Sequence, residues 1–454
     1  MKFREKAAFG IGAIGKDMVY MLSAGYILYY YQDILGISAA FTGMLLMIAR
    51  IFDAFNDPVM GVLVAKTKSK FGKFRPWIFS GTILNALVLY AMFAVPENVQ
   101  GMGLLLYVSV AYILWGITYT MMDIPFWSMI PAFAKDGKER EGLSTLGRTC
   151  AGVGNAIVTV ITVKAVEILG KGSERMGFKS YALIVSVVFA LSAIILCLCI
   201  KEKSTANMKT VSVGDMFKAL IKNDQAMTVV VAIVIINGAI YLTSNLVIYF
   251  FKYDIAGTNW TDTYTLFNTF GGAFQILAMM LLYPFLRKFL STIQLFKTML
   301  GMEIVGYIVL LILACNNLTG IGFLLIPGFM IFAGNGVLTV LTTVFLANTV
   351  DYGEWKNGRR DESVIFSMQT FVVKLASGIS AFLASLCLEI FHISANTENI
   401  VKLSTDSIMG LRFTMAVVPI IGLIIAFIYF GKKFILSDNK VQEIVDTLKE
   451  KKLD

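Results

Sequence analysis

Apolar runs of about twenty residues, the length that crosses a hydrocarbon core about 30 Å thick, recur along this chain between breaks of Gly, Pro, Asn or charge. They fall near 10–31, 41–64, 76–95, 104–130, 144–169, 180–200, 226–251, 263–285, 298–315, 320–347, 363–391 and 407–430. Each can span a bilayer with some tilt, and together they predict an all-α membrane protein of about twelve transmembrane helices. The longest polar stretch, KEKSTANMKTVSVGDMFKALIKNDQ, leaves six runs on each side. The expected organisation is an N-terminal six-helix bundle over 1–200, a central cytoplasmic loop over 201–225, a C-terminal six-helix bundle over 226–435 and a tail over 436–454. Carriers built from two repeated halves have this layout. The halves also echo each other weakly. Each has a basic loop after its second run (near 66–75 and 287–297) and a charged loop after its fourth (PAFAKDGKERE and DYGEWKNGRRDE). The tail, KKFILSDNKVQEIVDTLKEKKLD, has the pattern of a short amphipathic helix.

Composition agrees with the bilayer as solvent. Of 454 residues 57% are hydrophobic and 15% charged, with mean hydropathy +0.74; soluble chains carry roughly a quarter charged residues. A water-soluble protein this apolar would expose large greasy patches. The basic-then-apolar start, MKFREKAAFG, imitates a secretory signal, but no small-residue cleavage pattern follows and the apolar stretch runs on into a full span. The net charge of +9 does not mark a nucleic-acid partner, because the basic residues collect in alternate loops. Lys66, Lys68, Lys70, Lys73 and Arg75 crowd one loop, whereas QDILGISAA and PENVQG carry no Lys or Arg. The positive-inside rule then puts both termini in the cytoplasm, with Lys171, Arg175 and Lys179 as the main exception, and the expected location is the cell inner (plasma) membrane. His392 is the single histidine and Cys197 and Cys199, two apart, do not share a helix face. Neither a His/Cys metal site nor a disulfide framework is expected. No nucleophile–base pair or phosphate-cradling loop points to an enzyme.

Charges inside the spans are the informative residues. An ionisable side chain at the bilayer centre costs about 2.5–3.5 kcal/mol on insertion scales, so each needs a partner or a use. The first run carries Lys16 and Asp17; the second reads ARIFDAFNDPVMG, where Arg50, Asp53 and Asp57 at i, i+3 and i+7 share one face, with Asn56 and Pro58 flanking Asp57. Two carboxylates one turn apart suit a small hard cation, Na⁺ or Li⁺, or a proton. Equally, Arg50 neutralises Asp53 and Asp57 caps a helix end. The fourth run contains WGITYTMMDIPFWSMIP. There Asp123 and Trp127 share a face, Tyr119 and Thr120 lie a turn earlier, and Pro125 frees a backbone carbonyl. A carboxylate accepting from two neighbouring hydroxyls beside an aromatic ring is one way to hold a pyranose. Alternatively, Trp127 is an interfacial belt residue and Asp123 pairs with a base, Arg148 and Lys374 being available. Asp17, Asp53, Asp57 and Asp123 balance Lys16, Arg50, Arg148 and Lys374. A cation entering such a set shifts its balance by one charge, and a ligand sharing these partners would be linked to it by about 1–3 kcal/mol.

The segments GIGAIGKD, YYYQDILG, ARIFDAFNDPVMG, KFGKFRPW, YILWGITYTMMDIPFWS, VDYGEW and SMQTFVVK together resemble the glycoside–pentoside–hexuronide:cation symporter family, over about residues 6 to 435. The resemblance implies a major facilitator fold of two six-helix bundles working by alternating access. It implies that Asp53 and Asp57 bind the coupling cation with help from Thr120, with Asn56 beside them. It implies that Asp17, Asp123 and Arg148 hydrogen-bond galactosyl hydroxyls while Trp127 stacks on the ring. Lys16, Tyr119, Gln369 and Thr370 match positions near the sugar. Lys374 matches a lysine of the cavity's charge network, to which Arg50 is added by its place on the second helix. Two positions depart from the melibiose-carrying pattern: Thr339 stands near the place of a tryptophan in the tenth span, and Ala24 where a tyrosine is expected on the first.

The expected function is import of a galactoside of the melibiose type coupled to Na⁺, Li⁺ or H⁺, by a chain that works as a monomer and needs no cofactor beyond the coupling cation. The alternatives are a cation-coupled carrier for glucuronides or pentosides on the same scaffold, and an uncoupled sugar facilitator. The last would have no use for Asp53 and Asp57.

Overall fold

A computed structural model describes residues 3–133, 137–200, 218, 221–255, 260–358, 362–393 and 403–450. The fold is all-α, and no strand occurs among these residues. A long helix stands at each of the twelve apolar runs. The helices α1 (Phe3–Tyr29), α2 (Ala39–Lys66), α3 (Arg75–Phe93), α4 (Gly101–Phe133), α5 (Gly137–Gly170) and α6 (Glu174–Cys199) belong to one compact unit. The second unit holds α7 (Asp224–Tyr249), α8 (Trp260–Leu277), α9 (Thr292–Cys315), α10 (Ile321–Asn357), α11 (Glu362–Ile390), α12 (Thr405–Lys433) and the tail helix α13 (Asp438–Glu450). Most of the predicted central loop, 201–217 and 219–220, lies outside the described residues.

Eleven of the described helices are long and apolar enough to cross a membrane by themselves. The exception is α1, which carries Lys16 and Asp17 at its middle. Its charges require protein rather than lipid around them, and α1 packs against both α5 and α6. In hydrocarbon every backbone group must be satisfied within the protein, and the helix starts show it. Ser38, Ser173, Asn223, Ser291 and Ser404 each accept a hydrogen bond from the backbone N–H three residues on. At Ser291 the side chain of Gln294 returns the bond, completing a capping box.

The weak sequence echo between the halves becomes a shared packing scheme. In the first unit α1 lies against α5 and α6, α3 against α4 and α6, and α2 against α4. In the second, α7 lies against α11 and α12, α9 against α10 and α12, and α8 against α10. The first helix of each unit also ends alike, in a single π-helical turn, at Tyr30–Ile34 after α1 and Phe250–Ile255 after α7. A wider turn re-aims the side chains that follow it. In the first unit three tyrosines fasten the chain where α1 runs into the turn: Tyr26 donates to the Thr159 carbonyl at 3.0 Å, Tyr29 to Glu174 at 2.6 Å and Tyr30 to the Phe93 carbonyl at 2.8 Å.

In the second unit the same turn delivers Asp254 to Arg412 of α12. Arg412 Nε and Nη2 each donate to one carboxylate oxygen at 2.7 Å, and Nη2 also reaches Asn317 Oδ1 at 3.1 Å. The Asp254 side chain is 1% exposed. A bidentate fork satisfies both oxygens of a buried carboxylate, and removing the guanidinium leaves an uncompensated charge. Arg412→Ala should therefore cost about 3–5 kcal/mol, read as lower thermal stability in detergent. The double variant Arg412→Ala/Asp254→Asn should regain much of it.

Candidate functional site

The first unit gathers its charges from four helices. On α2 the one-face spacing holds: Arg50 Nη1 lies 3.3 Å from Asp53 Oδ2, both side chains being buried. The guanidinium also lies 5.5 Å from the Tyr20 ring centroid and 5.7 Å from that of Trp115, a cation–π setting that favours Arg over Lys. Asp53 reaches α4 at Gly116, where a Cβ would stand 2.6 Å from Asp53 Oδ1. Only glycine admits this approach. One turn along, Asp57 Oδ1 accepts a hydrogen bond from Thr120 Oγ1 at 3.0 Å, so Asp57 and Thr120 meet across the α2–α4 contact. Asn56 is half-buried, and its Nδ2 is buried without a hydrogen-bond partner. A small hydration-stripped cation wants several oxygens from rigid elements, and Asp57, Thr120 and Asn56 stand on two packed helices.

The second group centres on Lys16 of α1. Its ammonium lies 2.8 Å from Asp123 Oδ1 and 3.0 Å from Asp17 Oδ2, and it donates to the Tyr119 hydroxyl at 3.1 Å. Trp127 Nε1 donates to the same Asp123 Oδ1 at 3.0 Å, the i, i+4 contact the sequence spacing predicts. Over the indole lies Arg148 of α5, its Cζ 4.6 Å from the ring centroid. Arg148 is itself exposed. Carboxylates, an ammonium, a guanidinium and a flat ring thus meet where α1, α4 and α5 converge, a donor–acceptor set that matches hydroxyl-rich ligands.

The structure corrects two details of the sequence reading. Within the first unit the base paired with Asp123 is Lys16, from the first helix. Nor does Asp123 gather the hydroxyls of Tyr119 and Thr120: Thr120 is turned to α2 and Asp57, while Tyr119 accepts from Lys16. The reason is one of faces. Gly116, Thr120, Asp123 and Trp127 make one stripe on α4, but its upper part abuts α2 and its lower part abuts α1.

One residue escaped the sequence reading. Asn155 of α5 donates through Nδ2 to Asp17 Oδ1 at 3.5 Å, and its own Oδ1 is buried without a partner. Its i, i+7 relation to Arg148 on an apolar span was the available signal. Gln369 and Lys374 are half-buried positions on α11 of the second unit, and the side chain of Thr370 lies outside the described residues.

The sequence pattern of the MFS/sugar transport protein family matches residues 8–431. The chain belongs to that family. It is a multi-pass membrane sugar transport protein, as the resemblance implied, and not an enzyme. It is 28% identical to the raffinose carrier protein of Pediococcus pentosaceus, over 97% of this chain and 70% of the carrier. It is 27% identical to the isoprimeverose transporter of Lactiplantibacillus pentosus, over 92% of this chain and 86% of that protein. Among solved structures, a bacterial homologue of the human lysosomal transporter Spinster superposes with a TM-score of 0.69 at 12% identity, covering 95% of this chain and 97% of that one. That likeness is one of fold, the major facilitator fold.

Sharing one buried ammonium between two carboxylates makes the group sensitive to its loss. Lys16→Gln leaves Asp17 and Asp123 without their common cation and should cost on the order of 3 kcal/mol. A second change, Asp123→Asn, should recover part of that thermal stability by removing one of the stranded charges.

Proposed function

We propose that the chain imports a galactosyl-bearing sugar together with Na⁺, Li⁺ or a proton, by alternating access and as a single chain. The observation that carries the sugar reading is the Lys16 bridge between Asp17 and Asp123 beside Trp127. Before a ligand enters, Lys16 bridges the two carboxylates, the Trp127 indole N–H donates to Asp123 and the Asn155 amide to Asp17. A pyranose replaces these contacts with its own hydroxyls, which donate to the carboxylates and accept from Lys16. Its apolar face takes the surface of Trp127 that Arg148 now covers, and the displaced guanidinium becomes a donor to a ring hydroxyl. Each polar group exchanges one partner for another and none is stranded, which low-dielectric sites require.

The coupling cation is assigned to Asp57, Thr120 and Asn56, with Asp53 at the edge of the site and already tied to Arg50. Asp53 is then a positioning residue that Arg50 fixes against Gly116, while Asp57 supplies the charge the cation meets. Since Thr120 and Asp123 stand three residues apart on α4, a shift of that helix on cation binding moves the sugar carboxylate too. This short path is what couples the two ligands in the proposal.

A galactosyl ring is favoured because the raffinose carrier among the relatives handles a sugar that bears one. The isoprimeverose relative keeps a second reading open, a pentoside on the same scaffold.

Uptake of labelled galactosides, xylosides and glucuronides into vesicles, with Na⁺, Li⁺ or a pH gradient imposed in turn, decides substrate and cation together. Accumulation of a galactoside under one of these gradients is the expected result; preference for xylosides would replace the galactosyl reading. Asp57→Cys should abolish cation-driven accumulation while leaving some sugar binding, and retained uphill transport would overturn the cation assignment. Trp127→Ala should lose sugar binding first. A variant that binds the transported sugar normally would remove Trp127 from the site.

A further inference from the structure

The second unit holds a carboxyl group that nothing described so far uses. Glu303 sits near the middle of α9, is 2% exposed, and its Oε1 is buried with no hydrogen-bond partner. The wall over it is Gly334 of α10, where a Cβ would stand 2.7 Å from Glu303 Cγ and 3.5 Å from Oε1. Nothing bulkier than glycine fits there, so the carboxyl is enclosed by close helix packing.

The groups around it offer no counter-charge. On its own helix Tyr307 stands one turn along, its hydroxyl engaged with Thr243 of α7 at 2.9 Å. Lys297 lies almost two turns back, with its chain end against Gly431 of α12. The titratable residues of α10, namely Asp351, Tyr352, Glu354 and Lys356, occupy its last turns, about 25 Å along the helix from Gly334 at 1.5 Å per residue. On α12, Asp406 and Arg412 lie toward the start, Arg412 being held by Asp254, and Tyr429, Lys432 and Lys433 lie at the other end. Among the described residues no cluster of three or more His, Cys, Asp or Glu forms that could hold a metal ion.

A metal cation needs several oxygen ligands, whereas a proton needs one. An ionised carboxylate with an orphan oxygen at this depth is strongly disfavoured, and the neutral acid is not. The segment of α10 that closes the site carries residue types at which helices bend. Pro327 lies inside the helix, and Gly334 and Gly336 flank Asn335.

We propose that Glu303 is an exchangeable proton-binding site of the second unit, filled while α9 and α10 are packed and able to release its proton when the Gly334 segment of α10 moves away. It is separate from the carboxylates of α2, and it gives the second half of the carrier an ion of its own.

Infrared spectroscopy on the full-length chain in lipid tests this without knowledge of the transported sugar. The expected result is a protonated-carboxyl carbonyl band at neutral pH that is lost in Glu303→Gln and that shifts in D₂O in the wild type. Glu303→Asp, which must move the band rather than delete it, serves if the Gln variant fails to insert. A spectrum unchanged by both substitutions would show that Glu303 carries no proton. A band that belongs to Glu303 but does not shift in D₂O would show a sealed structural acid. Either result overturns the proposal.

Discussion

Lys16 is held 4% exposed in the first helix, its ammonium within 3.0 Å of Asp17 and 2.8 Å of Asp123. Much of the first unit follows from having to satisfy that charge away from water. A buried ammonium is tolerated only where carboxylates and hydroxyls replace its hydration. Asp17 supplies one from its own helix, and α4 supplies the other together with Tyr119. The helix α1 is thereby committed to protein on several sides, since lipid cannot solvate its middle. Its neighbours α5 and α6 take the flanks, and the tyrosines of its last turns fasten it to Thr159, Phe93 and Glu174.

The helix α4 carries the chemistry of two groups on one stripe. Gly116 lets the Asp53 carboxylate come close, Thr120 reaches Asp57, Asp123 shares Lys16, and Trp127 steers its N–H back to Asp123. Spacings of three and four residues keep these side chains in register along a helix. Under the proposed reading, cation and sugar are bound one turn apart on the same rod. A carrier that couples two ligands in one bundle then needs no long pathway between them.

The two units share a packing scheme and a π-turn at the end of their first helices, yet they distribute charge differently. In the first, opposite charges meet within the membrane layer, from Lys16 to Arg50. In the second, a buried bidentate ion pair, Asp254 with Arg412, lies just beyond the end of α7, and α9 keeps Glu303, its Oε1 without a hydrogen-bond partner, in its interior. Repeated architecture therefore fixes which helices touch, while the side chains placed at those contacts make the halves chemically distinct.

The sequence by itself determined the all-α membrane fold, the twelve helices and the amphipathic tail helix, because hydrophobic length is a local property that the bilayer reads directly. It also determined which residues had to matter, since charges in apolar runs need a purpose wherever they end up. Pairs within one helix, Arg50 with Asp53 and Asp123 with Trp127, were legible from spacing alone. Pairs between helices were not. That Asp123 meets Lys16 depends on how α1 sits beside α4, and whether Thr120 serves Asp123 or Asp57 depends on which face of α4 abuts α2. Asn155 looks ordinary in the sequence and becomes notable only when neighbours close over it, whereas Glu303 was visible as a charge inside an apolar run and only the structure shows its Oε1 buried without a partner. The reason is that a helix fixes its own faces by its periodicity, whereas the partner each face meets is decided by packing between segments far apart in the chain.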